Sequence, residues 1–214
     1  MRKREVLPEI LDHLPADDSE ALRSRRDLKR INALMGNESW ICRTIRHFPE
    51  AAARGIVELG AGEGLLAARM AGVFPASPIT AYDLAPPPPS LPPSVQWRMG
   101  DLFASPPPKD GGILVANLFL HHFEKEALRD LGAWCAGFDV IIYNEPDRAV
   151  FPHFLGSLMH PFINRVTRHD MHVSICAGFT LGELPPLLGL QAPHWQIRET
   201  STWRGSRRGV AWRR

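Results

Sequence analysis

The stretch Ile56-Val57-Glu58-Leu59-Gly60-Ala61-Gly62-Glu63-Gly64 constrains this chain more than any other. A short apolar run meets an acid, and three glycines follow at alternate positions. Glycine accepts positive φ and lets backbone approach a ligand with no Cβ in the way. An apolar helical pattern comes next, with Leu65, Leu66, Ala68 and Met70. The stretch therefore predicts a strand, a tight turn and a helix start. The glycine spacing is GxGxG, one residue shorter than the GxGxxG of dinucleotide folds.

Downstream the same alternation continues. Apolar runs of ordinary strand length predict strands at 54–59, 79–84, 95–99, 112–118 and 138–143. Helices are expected over 63–71 and 124–136, the second with Leu128, Leu131 and Trp134 on one face. Alternating strands and helices imply a parallel sheet. Residues 194–203 and 207–214, joined by Arg204-Gly205-Ser206, read as a terminal hairpin, antiparallel by necessity. The prolines of Pro86-Pro87-Pro88-Pro89-Ser90-Leu91-Pro92-Pro93 exclude a helix or a central strand and predict a surface loop. Pro106-Pro107-Pro108 predicts another.

Residues 1–50 read as two or three helices placed before the first strand, a lid or cap segment ahead of a main domain at 51–214. Ala16-Asp17-Asp18-Ser19 sets acids against the positive end of a helix. Gly36 suits that helix's C-terminal cap. Asn37 can open the next helix, which Pro49 stops. Trp40, near the Gly36-Asn37 hinge, fits a lid, though a helical aromatic is more often core. Residues 147–178 break the alternation and read as a substrate-side insertion. Within them Phe151, Phe154, Leu155, Leu158 and Met159 predict a helix ending before Pro161. His169-Asp170-Met171-His172-Val173-Ser174 reads as polar and irregular. A short helix is expected over 181–188, with two prolines near its middle.

Composition excludes several classes. A chain of 214 residues buries about 70% of its unfolded surface and needs neither disulfide nor metal to fold. With 22% charged and 44% apolar residues it is ordinary globular material. A net charge of +2 is too small to imply a nucleic-acid partner. Basic residues gather in the first 30 positions and at Arg204, Arg207, Arg208, Arg213 and Arg214. A solvated helix face and a polar strand edge account for them more simply than an anionic substrate. Cys42, Cys135 and Cys176 show no CxxC or Cys/His zinc spacing, so no metal is expected, and reduced thiols in a cytoplasmic protein are the default. Met1-Arg2-Lys3-Arg4 lacks the apolar core of a signal peptide. No run approaches the roughly 20 apolar residues of a membrane span.

Parallel α/β sheets bind ligands at the C-terminal ends of their strands. There this chain places Glu58 with its glycines, Asp83, Gly100-Asp101, Asn117 and Glu145. Glu58 is a poor neighbour for a pyrophosphate and a good one for an ammonium-bearing ligand. Asp83 can accept both hydroxyls of a ribose. Asp101 can accept from an exocyclic amine such as adenine N6, while the Leu102 amide donates to the ring.

Four motifs in order, Val57-Glu58-Leu59-Gly60-Ala61-Gly62-Glu63-Gly64, Tyr82-Asp83-Leu84, Gly100-Asp101-Leu102 and Asn117-Leu118-Phe119-Leu120-His121-His122-Phe123, resemble those of class I S-adenosylmethionine-dependent methyltransferases. The resemblance covers about residues 54–145. Two further stretches, Asp27-Leu28-Lys29-Arg30-Ile31-Asn32 to Trp40 and Arg168-His169-Asp170 to Ser174 before Gly178-Phe179, are similar to small-molecule methyltransferases of bacterial secondary or quinone-type metabolism. The family implies an α/β fold: a Rossmann-like, seven-stranded, mostly parallel sheet with an antiparallel C-terminal hairpin, here with N-terminal helices. It implies S-adenosyl-L-methionine as cofactor. Gly60, Ala61, Gly62 and Gly64 would line the methionine part, with Glu58 orienting the loop. Asp83 and Leu84 would hold the ribose, Asp101 and Leu102 the adenine, and Asn117 would sit by the sulfonium or amino group. The proline-rich 86–93 departs from the family, which usually has a helix there.

In methyl transfer the cofactor carries the reactive group, and the protein supplies alignment and sometimes a base. His121 and His122 follow the fourth strand where substrate would approach, and either can serve as candidate base for a hydroxyl proton. The plainer alternative has one of them capping a helix or packing under the loop. His169, paired with Asp170, is the alternative base. Phe119, Phe123, Phe151, Phe154, Met159 and Phe162 are candidate walls of an apolar pocket that Glu145, Arg148 and Arg165 would help to shape. The expected substrate is a small, partly apolar molecule methylated at oxygen. The alternatives are an RNA or protein methyltransferase, motivated by the basic termini, and a cofactor-binding protein without turnover. A dehydrogenase fits the glycine spacing least.

Overall fold

The computed structural model describes residues 3–15, 17–104 and 111–214. Arg2, Ala16 of the first helix signal and the Pro106-Pro107-Pro108 loop lie outside the described residues. The strands are β1 (Ile56–Leu59), β2 (Ile79–Asp83), β3 (Val95–Met99), β4 (Ile113–Asn117), β5 (Val140–Pro146), β6 (Trp195–Ser201) and β7 (Ser206–Arg213). They form one sheet in the order β3-β2-β1-β4-β5-β7-β6. The first five are parallel, and β7 runs antiparallel between β5 and β6. β5 continues three residues past its expected end because β7 pairs with it there: Asn144 faces Arg208 and Glu145 faces Arg207. Both polar residues thus sit inside a fully buried strand.

The helices are α1 (Ser19–Met35), α2 (Asn37–Ile45), α3 (Pro49–Arg54), α4 (Leu65–Val73), α5 (Lys125–Cys135), α6 (Val150–Met159), α7 (Arg165–Ala177) and α8 (Leu184–Leu187). One sheet face packs Leu114, Ile141 and Tyr143 against Leu128, Leu131 and Trp134 of α5 and Leu184 of α8. The other packs Ile56, Val115 and Ile142 against Ile41 and Ile45 of α2 and Leu66 and Met70 of α4. The second N-terminal helix is therefore built into the core. The Asp18 carboxylate caps α1, accepting from the amides of Glu20 and Ala21 at 2.8 and 3.0 Å. Gly36, at φ 68°, both ends α1 and precedes α2, so one left-handed residue links the two helices. Pro49 opens α3, because a helix's first turn needs no donor from that residue.

Three expectations change. Residues 169–174 are not irregular but lie within α7. Asn164 caps that helix by accepting from the Thr167 amide at 2.8 Å. Its buried face runs Val166, Asp170, Val173, Ala177, and the acid in that stripe hides the helical period. The helix expected over 181–188 shrinks to the single turn of α8. Of the C-terminal arginines, Arg204, Arg213 and Arg214 are exposed, but four of the five make directed hydrogen bonds. Arg204 and Arg208 donate to the Leu34 and Met35 carbonyls at 2.6 and 2.9 Å, which are the last carbonyls of α1. Arg213 donates to the carbonyls of Phe138 and Ala136 at 3.0 and 2.5 Å, and Arg207 makes a buried pair with Asp147 at 2.6 Å. The proline-rich loop stays free of helix and strand, but it folds back on the glycine turn. A Cβ on Gly64 would lie 2.8 Å from Leu91 and 3.2 Å from Pro88.

Gly209 of β7 is fixed by close approach. A Cβ there would lie 1.9 Å from the ring of Tyr143, which is fully buried and donates its hydroxyl to Glu199 at 2.7 Å. Gly209→Ala is expected to destabilise the fold by about 1–3 kcal/mol, the usual cost of overpacking a core. Urea unfolding measures this, and an unchanged midpoint would contradict the packing described.

Candidate functional site

The glycine turn after β1 is held from β2. The amides of Gly60 and Ala61 both donate to the Tyr82 carbonyl, at 2.9 and 3.1 Å. Gly60, Gly62 and Gly64 all take positive φ, between 53° and 69°. The amide of Gly62 donates to Asp83 Oδ2 at 2.6 Å, and the Ala85 amide to Asp83 Oδ1 at 2.9 Å. A Cβ on Gly62 would meet nothing within 4 Å, so the turn opens onto space beside the Asp83 carboxylate. Leu84, the next residue, is 76% exposed. Asp101 lies exposed after β3, and its Oδ1 accepts from the Phe103 amide at 2.9 Å. That bond starts the 3-10 turn Leu102–Ala104, which buries the Leu102 side chain. The glycines, Asp83 and Asp101 thus come to one edge of the sheet.

Glu58 is almost wholly buried, and its Oε2 has no hydrogen-bond partner among the described residues. Burial raises its pKa well above the carboxylate range, and the charges of Glu38 and Asp83 add to this. Glu58 thus sits in a buried place under the turn that disfavours its charged form. Asn117 ends β4, and its Oδ1 accepts from Asn144 Nδ2 at 3.0 Å. On the adjoining β7, Arg208 lies over the Trp40 ring at 5.2 Å. Leu118 then takes φ 55°, uncommon for a residue with a side chain. After that turn the Phe119 ring lies across the first glycine: a Cβ on Gly60 would fall 2.0 Å from it. Phe119 packs edge-on to Phe123, and Phe123 to Phe103, with centroids 4.9 and 5.6 Å apart. Phe151, Phe154 and Phe162, by contrast, are 51–79% exposed.

The 3-10 turn Leu120–His122 is organised by Glu145. Its Oε1 accepts from the amides of Phe119 and Leu120 at 3.1 and 2.9 Å, and its Oε2 from the His121 amide at 3.3 Å and faces His121 Nδ1 at 2.8 Å. The other ring nitrogen, Nε2, faces Glu9 at 3.5 Å. Glu9 also accepts from the Ser174 hydroxyl. Burial would lower the His121 pKa, but the hydrogen bonds to Glu145 and Glu9 and their charges outweigh it and hold it at about 9. Burial would likewise raise Glu9, yet His121, His122 and Ser174 together keep it below its ordinary value. His121 is thus an imidazolium clasped between two carboxylates. His122 is half-buried, its Nδ1 4.0 Å from Asp12, and burial and the charge of His121 lower its pKa. Two adjacent histidines are therefore shifted in opposite directions.

The N-terminal segment straps this turn down. Arg4 donates to the carbonyls of Ala177, His121 and Phe123 at 2.7, 2.9 and 2.7 Å. Asp170 accepts from the amides of Ile10 and Leu11 at 2.8 and 3.0 Å and from His169 Nδ1 at 3.0 Å. That places His169 on the outer side of α7, with its acid partner engaged in holding the strap. Sequence reasoning missed Glu9, Arg4 and Phe103. Nothing near Glu9 in the chain signals its partner 112 positions away, whereas Phe103 follows a motif residue and was within reach.

Neither a family model nor a curated protein sequence matches the chain. Solved structures do. The plantazolicin methyltransferase BpumL, in complex with a monoazolic desmethylPZN analog and SAH, superposes with a TM-score of 0.68 over 88% of this chain and 89% of its own, at 9% identity. This is the class I methyltransferase fold. The pyocyanin biosynthetic protein PhzM matches with a TM-score of 0.62 at 19% identity, over 95% of this chain and 60% of its own. Human N-acetylserotonin methyltransferase in complex with SAM matches at 0.53 and 16% identity, over 94% and 61%. At these identities the methyltransferases and this chain share a fold. Among the described residues no helix is long and apolar enough to cross a membrane.

The His121 clasp gives a pH signature. Its folded pKa of about 9 exceeds the ordinary value of 6.5, so its contribution to stability is full below about 6.5 and is lost as pH rises through about 9. The loss is on the order of 3 kcal/mol. Chemical unfolding from pH 6 to 9.5 should show the wild type losing stability across that window and His121→Gln, already weaker at pH 6, staying flat. Parallel profiles would rule the clasp out.

Proposed function

We propose that this chain is an S-adenosylmethionine-dependent methyltransferase acting on a small, partly apolar molecule, at an oxygen atom. The observation that carries the reading is the pairing of Gly62 with Asp83: an open, Cβ-free turn beside a carboxylate at the end of β2. Each Asp83 oxygen accepts one amide and keeps a lone pair for a hydroxyl, which is what a ribose needs. When bound, the cofactor supplies an electrophilic methyl group on a sulfonium. Gly60, Ala61, Gly62 and Gly64 would hold its methionine part, Asp83 and Leu84 the ribose, Asp101 and Leu102 the adenine, with Asn117 at the amino-acid end. Glu58, buried beneath the turn, would orient the loop from below.

Phe119 over Gly60, with Phe123 and Phe103 packed edge-on behind it, gives the site edge an apolar side that favours an apolar acceptor. Of the three histidines, His122 is the base we favour, because its lowered pKa leaves it neutral and able to accept a hydroxyl proton near pH 7. His121 already holds its proton between Glu145 and Glu9 and is not available as a base. His169 sits on the far side of the Asp170 contact and is the weaker alternative.

Calorimetry tests the cofactor. S-adenosylmethionine should bind one per chain, Asp83→Ala and Gly62→Val should each weaken it at least tenfold, about 1.4 kcal/mol, and NADH should give no heat. Heat with NADH and none with S-adenosylmethionine would overturn the reading. The acceptor class is tested with methyl-labelled cofactor and a cell extract of the source. Label extracted into organic solvent as a small molecule is the expected result; label precipitating with RNA or protein would transfer the assignment to a macromolecular substrate.

A further inference from the structure

We infer that His153 of α6 and His172 and Cys176 of α7 form a binding site for one zinc ion, separate from the methyl-transfer site. His172 and Cys176 are four residues apart on one helix and so share a face. His153 reaches them from the neighbouring helix. The Cys176 Sγ lies 3.9 Å from His153 Nε2 and 3.7 Å from His172 Nε2, and the two rings are 5.0 Å apart. With Zn–S of about 2.3 Å and Zn–N of about 2.0–2.1 Å, a tetrahedral centre has S···N edges of about 3.5 Å. The observed separations are within a few tenths of an ångström of that value, so the ion fits with small side-chain rotations.

The donor chemistry selects the ion. One thiol and two imidazoles suit zinc and exclude magnesium and calcium, which take oxygen ligands. The helices are already close-packed: a Cβ on Gly156 of α6 would lie 3.0 Å from the Met171 methyl of α7. The ligand atoms are therefore carried by a preformed pair of helices. Binding displaces the thiol proton to solvent and leaves a thiolate–zinc bond. Three protein ligands leave the fourth position to water. The other such cluster among the described residues, Glu9 with His121 and His122, belongs to the site described above, where His121 holds a proton between carboxylates. The pair of cysteine and histidine here escapes a spacing search because the third ligand lies 19 residues upstream on another helix.

The test uses the tag-free full chain, titrated with zinc against a chromophoric chelator and, separately, with cobalt(II). We expect one zinc per chain, a thiolate-to-cobalt charge-transfer band in the near ultraviolet, a melting temperature raised by zinc and unmoved by magnesium, and a loss of about 100-fold or more in zinc affinity in both Cys176→Ser and His172→Ala. His172 is exposed on α7, so its variant reports on binding even where Cys176→Ser perturbs the fold. No stoichiometric zinc binding, a cobalt spectrum without the thiolate band, or unchanged affinity in His172→Ala would overturn the proposal.

Discussion

A buried carboxylate with no water around it must be surrounded by donors, and Glu145 is that carboxylate. Leaving such a charge unpaired in the interior costs several kcal/mol. The chain answers with three backbone amides from the turn after β4 and with the His121 ring. Each answer fixes something else. The amides hold the 3-10 turn that carries Phe119 onto the glycine turn. The ring, made cationic, calls for a second carboxylate, and Glu9 brings the N-terminal segment with it. The shape of the site edge thus follows from satisfying one acid at the end of one strand.

The same electrostatics separate His121 from His122. Neighbours in sequence, they differ because one ring points between two carboxylates and the other lies beside a positive charge. Burial pushes both pKa values down; only His121 has enough hydrogen-bonded negative charge to reverse it. A motif of two histidines therefore contains two distinct environments, one that raises the pKa of its ring and one that lowers it.

What was legible in the sequence was local. The glycine spacing, the acids closing β2 and β3 and the terminal hairpin are each set within a few residues, and the parallel sheet follows from their alternation. What was not legible depended on distant partners. Nothing around Asp170 says that it caps a strap near Ile10, so its place in the buried stripe of α7 reads as a break in the helix. The arginines at the C-terminus look like solvated charge until the last carbonyls of α1 are placed beside them. Phe151, Phe154 and Phe162 have the composition of a pocket wall, but α6 turns the first two outward and the 3-10 turn after it, His160–Phe162, leaves the third exposed. Hydrophobicity was visible there and direction was not.

The position of β7 has a consequence for synthesis. It lies between β5 and β6, yet its residues are translated after both. Until they emerge, β5 is an apolar strand with one bare edge, the kind of template on which other chains pair. The Met35 carbonyl at the end of α1 waits for the same strand, because Arg208 comes with it. A ribosome-bound chain stopped just short of residue 206 would hold nearly every element and still be unfinished. The last eight residues of sheet act as a latch, and until it closes the edge of β5 stays open to pairing.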